Sequence, residues 1–235
     1  MLFDFYLFNF HWLDFFALAW FLLCWIGYVW SADRTQLKEK SVSAAMNYYR
    51  KLWMRNMVRR DPRMLDAIIQ GNLLHGVAFY ASTSILLIGG LLAMLGAADQ
   101  ALAVLQNLPF AVSANPTLWE IKVLLLLVIF IYAFFKFAWC YRLYNYCSVM
   151  IGAAPLDCEQ NSENERFADH IAKLHGLAAS HFNSGLRAYF FALAALGWFL
   201  HAILFLIAST WVTYILYRRE FRSRSWRLLQ SARTD

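Results

Sequence analysis

The stretch from Trp119 to Asn145 constrains this chain more than any other, because it is an apolar run of membrane length that ends in cations. Residues 121–135 are nearly all hydrocarbon or aromatic side chains, and tryptophans flank the run at Trp119 and Trp139. About 20 apolar helical residues cross the hydrocarbon core of a bilayer, and aromatic residues are enriched at its interfaces. We therefore predict a transmembrane helix here.

The composition excludes an ordinary soluble domain. Of 235 residues, 61% are hydrophobic and 15% charged, whereas soluble domains carry about 25% charged residues. The sequence contains no phosphate-binding or dinucleotide-binding glycine motif, no HExxH, no CxxC among its four cysteines and no regular basic and aromatic pattern. We expect no enzymatic activity, no cofactor, no metal site and no nucleic-acid partner.

Four apolar runs predict an all-α, polytopic membrane protein with a single membrane domain of four transmembrane helices. The predicted spans lie at about 13–30, 72–95, 118–141 and 188–217, with cytoplasmic loops at 31–66 and 142–187. Residues 1–12 are aromatic and should lie in the interface, and Asp14 should sit near the end of the first span where water reaches it. Because no basic segment precedes the first span, we expect it to be retained, in the inner membrane of a bacterium.

The loop at 31–66 holds nine Lys or Arg residues against four acids, which predicts a cytoplasmic location. Apolar residues recur within it at helical spacing, so we predict an amphipathic helix that anchors to anionic lipid. Its apolar face consists of Val42, Met46, Tyr49, Leu52, Trp53 and Met57. Its lipid-binding candidates are Arg50, Lys51, Arg55, Arg59 and Arg60. The acidic run 157–169 offers an electrostatic partner, within one chain or between subunits.

Small residues form two seams that predict close helix packing and a homo-oligomer. The first lies on the second span and consists of Gly71, His75, Ala78, Ser82, Gly89, Ala93 and Gly96. The second recurs every seven residues in the last run, at Ala188, Ala195, Ala202 and Ser209.

Polar residues within or at the ends of the spans are the candidates for a pore. Lys122 and Lys136 are fourteen residues apart and so share a helix face, while Asn145 lies one turn beyond Arg142 and can support it. The cations either snorkel to lipid phosphates or line an anion-attracting path, and the histidines either bond across helix interfaces or take part in gating. The pore or gating candidates are Lys122, Lys136, Arg142, Asn145, His75 and His201.

The C-terminal tail conflicts with a count of four spans. Four spans that begin outside must end outside, yet residues 218–235 hold six arginines. Either the rather apolar external segment 98–116 is a fifth crossing, or the last helix tilts or bends so that its arginines rejoin the headgroups. We keep four spans as the prediction.

Several short motifs resemble the DUF599 family of membrane proteins, whose function is not established. They are Phe134-Phe135-Lys136-Phe137-Ala138-Trp139 with Arg142 and Tyr144-Asn145, then Gly152-Ala153-Ala154-Pro155, then Asn183, Gly185, Arg187 and Tyr189, and finally Arg219-Glu220-Phe221-Arg222-Ser223. The resemblance implies a four-helix membrane protein and supplies no substrate or mechanism.

The sequence as a whole predicts a homo-oligomeric inner-membrane channel or transport protein that favours anions. The alternative is a membrane scaffold or accessory subunit that binds anionic lipid or a partner protein. The expected partners are membrane lipids and further copies of the chain.

Overall fold

The computed structural model describes residues 12–34, 41–97, 116–156 and 162–234. Within these ranges the chain forms seven helices and no strand: α1 (Trp12–Arg34), α2 (Val42–Met57), α3 (Met64–Gly96), α4 (Pro116–Ala153), α5 (Ser162–Leu200), α6 (Ala202–Phe221) and α7 (Arg224–Thr234). The predicted all-α class is therefore confirmed. The predictions made for residues 1–11 and for the external segment 98–115 lie outside the described residues.

Three helices, α1, α3 and α4, are long and apolar enough to cross a membrane. The candidate segments are Trp12–Ala32, Met64–Gly96 and Pro116–Ala153, and each contains one of the first three predicted spans. At 1.5 Å per residue, the 33 residues of α3 extend about 50 Å, which exceeds the roughly 30 Å of a hydrocarbon core. The chain thus has helices of the length and composition found in membrane proteins, and α3 and α4 are each longer than a hydrocarbon core is thick.

The described residues pack into two compact units. Unit 1 comprises 12–34, 84–97, 116–132 and 187–218, and unit 2 comprises 41–83, 133–156, 162–186 and 219–234. The centre of unit 1 is aromatic: the Phe21 ring contacts those of Phe191 and Phe205 at centroid distances of 5.7 Å and 5.0 Å, and Trp198 stacks on Phe205 at 5.1 Å.

In unit 1, α5 and α6 form a helical hairpin, whereas the sequence had suggested one continuous span over 188–217. From the start of α1 to its end, the residue numbers of its partners on α5 decrease: Asp14 contacts Trp198, Trp25 contacts Phe191, and Tyr28 contacts Arg187. The residue numbers of its partners on α6 increase, because Trp20 contacts Thr210 and Cys24 contacts Thr213. Because α1 is antiparallel to α5 and parallel to α6, helices α5 and α6 run in opposite directions.

The hairpin turns at His201, the single residue between α5 and α6. The His201 amide donates to the Gly197 carbonyl as the last bond of α5, and its carbonyl accepts from the Phe205 amide as the first bond of α6, both at 3.1 Å. The His201 imidazole Nδ1 accepts from the Ile203 amide at 3.1 Å and so caps α6. A Cβ at Gly197 would already lie 3.4 Å from the Leu204 backbone, so a residue without a side chain suits this close approach.

The core of unit 2 confirms α2 as a helix but shifts its buried face. Ser41 caps α2 by accepting from the Ala44 amide at 3.0 Å. The predicted face included Met46 and Leu52, which are exposed. The buried cluster contains Met57, as predicted, and adds Met54 of α2 and Val58 just after it, Cys147, Ile151 and Ala154 from α4 and its flank, and Ala168, Ile171 and Ala172 from α5. Protein side chains therefore cover only part of the predicted apolar face of α2, at Met57, while Met46 and Leu52 stay exposed.

The C-terminal helix α7 packs beside α2 in unit 2. The Tyr49 hydroxyl donates to the Leu229 carbonyl at 3.4 Å. At the end of α6, Glu220 Oε1 accepts from the Ser43 amide at 3.2 Å and from its hydroxyl at 2.7 Å. The basic tail and the basic helix α2 thus lie in the same unit, as expected if the terminal segment bends back.

Candidate functional site

Polar side chains gather inside unit 2, where α2 to α5 each contribute to them. We call this group the Asp66 cluster, and it consists of Trp53, Asp66, Gln70, Tyr144 and His175. Asp66 is 0% exposed and Gln70 and His175 are each 2% exposed. Nearly all buried polar atoms in proteins are hydrogen-bonded, so unpartnered ones call for an explanation.

Asp66 lies in the first turn of α3, where a carboxylate is favoured by the helix dipole. Its Oδ1 accepts from Trp53 Nε1 at 2.7 Å and from Arg60 Nη1 at 2.6 Å. Its Oδ2 is buried and has no hydrogen-bond partner among the described residues. Since a carboxylate offers about four acceptor positions, Asp66 retains the capacity to accept a further hydrogen bond.

Gln70 follows Asp66 by one helical turn and therefore lies on the same side of α3. Its Nε2 donates to the Tyr144 carbonyl at 2.8 Å, which also accepts from the Ser148 hydroxyl at 3.1 Å. Gln70 Oε1 is buried without a partner in the described part of the chain. One face of α3 thus carries two unpartnered acceptor oxygens one turn apart.

His175 is held between two aromatic rings, with centroids 5.3 Å from Trp53 and 4.7 Å from Tyr144. Neither of its nitrogens is hydrogen-bonded to any residue that the structure describes. Burial, and after it the positive charge of Arg50, lower the pKa of His175 to about 3. The imidazole is therefore neutral at neutral pH, with one donor and one acceptor nitrogen.

The cluster combines a carboxylate and an imidazole that both contact Trp53, one through its Nε1 and the other through its ring. Three of its unpartnered atoms are acceptors: Asp66 Oδ2, Gln70 Oε1 and one imidazole nitrogen. Such a group can hold a proton or a small solute that donates hydrogen bonds, and it suits an anion less well.

A cavity of about 580 Å³ adjoins the Asp66 cluster in unit 2, and its lining includes Gln70 of the cluster and Arg60, which pairs with Asp66. Its walls are mainly apolar, and they come from the loop after α2, the first turns of α3 and the end of α4. The cavity provides room for a ligand beside the buried polar groups.

The predicted lipid-binding cations lie on the surface of unit 2, most of them in ion pairs. Asp169 pairs with Arg55 at 2.8 Å and with Lys51 at 3.1 Å, and Glu165 pairs with Arg59 at 3.0 Å. The hydrogen bond from Arg55, ahead of the other causes, lowers the pKa of Asp169. The predicted partnership between the basic loop and the acidic run is thus formed within one chain.

The other two cations of this set are Arg60, which pairs with Asp66, and Arg50, which donates to Asn47 Oδ1 at 2.8 Å. Binding of anionic lipid by this set of residues stays a prediction.

The pore candidate Lys122 lies in unit 1, with its Nζ 5.6 Å from the centre of the Trp198 ring. Trp198 Nε1 donates to Asp14 Oδ1 at 2.7 Å. Asp14 is buried rather than water-exposed as the sequence suggested, because the packing of α5 on α1 covers it.

Arg142 and Asn145 lie on α4 in unit 2 but do not support each other. The Arg142 guanidinium lies over the rings of Trp139 and Tyr146, at 5.8 Å and 5.7 Å, and its Nε donates to the Tyr146 hydroxyl at 2.5 Å. Asn145 donates instead to the Tyr141 carbonyl at 3.1 Å. Aromatic neighbours on the same helix thus take the supporting role expected of Asn145.

The remaining pore candidates are dispersed. Lys136 is half-buried in unit 2, where its charge, after burial, lowers the pKa of His181. His75 is exposed on α3. His201, expected to bond across a helix interface, instead caps α6 through the Ile203 amide. The structure therefore brings none of these three into the Asp66 cluster.

The Asp66 cluster was not predicted from the sequence. His170, His175 and His181 are spaced five and six residues apart, which does not suit a zinc site on one helix face, and Asp66 is one of the four acids of the basic loop 31–66. Neither residue was therefore among the predicted site residues. One signal was available: Asp66 and Gln70 are polar residues one turn apart at the start of a long apolar helix.

Comparison with known families identifies one match. The family model DUF599, described as a protein of unknown function, matches residues 16–225. No curated protein and no solved structure matches the sequence. The resemblance seen in the short motifs is therefore confirmed over most of the chain.

Proposed function

Since the chain belongs to the DUF599 family, which provides no activity to assign, we propose from its own geometry that it is a membrane transport protein whose Asp66 cluster carries a proton or a small hydrogen-bond donor. The observation that carries this proposal is the fully buried Asp66, with one oxygen unpartnered among the described residues, at the start of a membrane-length helix.

Energetics favour a role in function over a role in stability. A buried polar atom without a partner costs about 1–3 kcal/mol, so the unpartnered atoms of Asp66, Gln70 and His175 together oppose folding. Apolar side chains of similar volume avoid this cost. Ionisable groups buried in membrane helices commonly mark a transport path or proton relay, and that is the role we assign to this cluster.

The topology that accompanies this proposal has three full spans, α1, α3 and α4, and a hairpin of α5 and α6 that enters from one side and returns to it. It is supported by the packing of α7 beside α2 and by the antiparallel course of α5 and α6. Both basic segments then lie on the cytoplasmic side of a bacterial inner membrane, in agreement with the positive-inside rule. A green fluorescent protein fused to the C-terminus should fluoresce. A dark fusion, together with an active alkaline phosphatase fused at the same position, would contradict this topology.

The function is tested by proton flux in liposomes that contain a pH-sensitive dye, with a potassium gradient and valinomycin as the driving force. We expect flux above that of empty liposomes, and we expect Asp66→Asn to abolish it because the amide keeps the size of the side chain but cannot ionise. Asp169→Asn is the matched control, since Asp169 lies in the same unit but in a surface ion pair. Equal flux in Asp66→Asn, or none in the natural protein, would refute proton transport by this cluster.

A homo-oligomeric channel is the second candidate, and the open face of α3 favours it. A Cβ placed at Gly71, Gly89 or Gly96 would meet no atom within 4 Å, so the small-residue seam has room for another helix. Anion flux that falls in Lys136→Ala and Arg142→Ala, from a complex whose mass in mild detergent exceeds one chain, would support it. A strictly monomeric protein would contradict it.

A further inference from the structure

The cavity of unit 2 lies where two candidate spans end. The first residue of α3, Met64, and the last residue of α4, Ala153, both border the loops that build it. The ends of membrane-spanning helices lie at the level of the lipid headgroups, so the cavity opens in the layer where phosphates are found.

Two small residues on facing helices create the space. A Cβ placed at Gly71 of α3 or at Gly152 of α4 would meet no atom within 4 Å. Leu74 and Leu156 complete an apolar wall beside them. This combination leaves a groove of hydrocarbon character that suits an acyl chain.

Two arginines and one aspartate are the charged residues on the lining, and the arginines have different roles. Arg63 donates to the carbonyls of Ile151, Ala154 and Pro155, so it caps the C-terminal end of α4 and has little capacity left for a ligand. Arg60 uses Nη1 for Asp66, and none of its other nitrogens is hydrogen-bonded to a residue that the structure describes. Its side chain is 35% exposed, so those donors can reach a ligand.

We propose that this cavity binds one anionic phospholipid, with its phosphate on Arg60 and an acyl chain against Gly71, Leu74 and Gly152. Arginine is well suited to phosphate oxygens because its planar fork donates two parallel hydrogen bonds. Basic pockets between membrane helices are a recurrent setting for phospholipid headgroups. The apolar walls select against a free soluble anion. Lipid binding can be tested apart from proton transport with the cavity-filling variants at Gly71 and Gly152, because these leave the Arg60–Asp66 pair unchanged.

The test is native mass spectrometry of the delipidated full-length protein, titrated with dioleoyl phosphatidylglycerol. We expect one lipid per chain at the lowest concentrations. Gly152→Leu and Gly71→Leu fill the cavity from opposite helices, and Arg60→Gln removes the phosphate donor, so each should weaken binding about tenfold or more. Gly89→Leu, where a Cβ also meets open space, is the matched control and should bind as the natural protein does.

Two further ligands test the contributions of the phosphate and of the acyl chains separately. Diacylglycerol, which lacks the phosphate, should bind about tenfold more weakly than phosphatidylglycerol, and glycerol phosphate, which lacks acyl chains, should not displace the lipid. Equal binding by both cavity-filling variants, equal binding of diacylglycerol, or displacement by glycerol phosphate would each overturn the proposal. Using two glycines on separate helices keeps the test decisive if one variant fails to fold.

Discussion

Replacing His175 with phenylalanine should remove most of the acid sensitivity of this protein between about pH 8 and pH 5. The pKa of His175 is lowered to about 3 in the folded protein by burial and then by Arg50, against 6.5 for a free side chain. Between these two values the unfolded chain binds a proton that the folded protein does not. The stability associated with neutral His175 is thus fully present above pH 6.5 and is lost as the pH falls toward 3.

The size of the effect follows from the difference in proton binding. A shift from 6.5 to about 3 corresponds to a loss of about 2 kcal/mol between pH 8 and pH 5, and to about 5 kcal/mol once the pH falls below 3. Phenylalanine keeps a ring between Trp53 and Tyr144 and removes two buried nitrogens that have no partner among the described residues. The variant should therefore be at least as stable as the natural protein at pH 5.

The assay is reversible unfolding in mixed detergent micelles, which gives the free energy of unfolding at each pH. His181→Gln is the informative comparison, because burial and then Lys136 lower the pKa of His181 in the same direction. Asp169 does not interfere, since its lowered pKa acts only below its ordinary value of 3.8. An unchanged pH slope in His175→Phe would refute the reasoning.

Three other substitutions have expected outcomes that unfolding or melting measurements can check. Asp169→Asn should lower stability by less than about 1 kcal/mol, with the loss fading at high salt, because its pair with Arg55 is partly exposed; a salt-independent loss would contradict this. His201→Ala should cost about 1 kcal/mol by removing the cap of α6, and His201→Asn should restore most of it; equal losses in both would argue against capping. Trp53→Phe should cost about 1–3 kcal/mol because Asp66 loses a buried donor; an unchanged melting temperature would show that this hydrogen bond contributes little.

Hydrophobic periodicity and charge were sufficient to predict the elements that depend on local sequence. The apolar run around Trp119 is within α4, the basic loop contains α2, and the acids at 165 and 169 pair with Arg59 and Arg55. These features follow from composition within a window of a few turns or from opposite net charges on neighbouring segments.

The hairpin at His201 could not be predicted in this way. The run 188–217 is apolar throughout and lacks a proline or charge at the turn. What bends it is tertiary: both arms pack on α1, and Gly197 allows the Leu204 backbone to approach. The hydrophobicity pattern of one segment carries no information about its contacts with another helix.

The Asp66 cluster was missed for a related reason. Asp66 is buried because Trp53, thirteen residues earlier, donates to it, and Gln70 is buried because it bonds to the Tyr144 carbonyl on another helix. A charged residue at the start of a helix is normally a solvated one, so only the assembled packing distinguishes this acid from the others.

The hairpin also affects how the chain can be made. Its two helices are joined by a single residue, so there is no hydrophilic loop to be carried through the bilayer. The side chain at the tip is the His201 imidazole, and the Ile203 amide satisfies one of its nitrogens. In the topology proposed above, the apolar arms of the hairpin, residues 188–217, would insert together from the side on which both of their outer ends remain, without threading a polar segment across and without a separate signal to stop and reverse the chain.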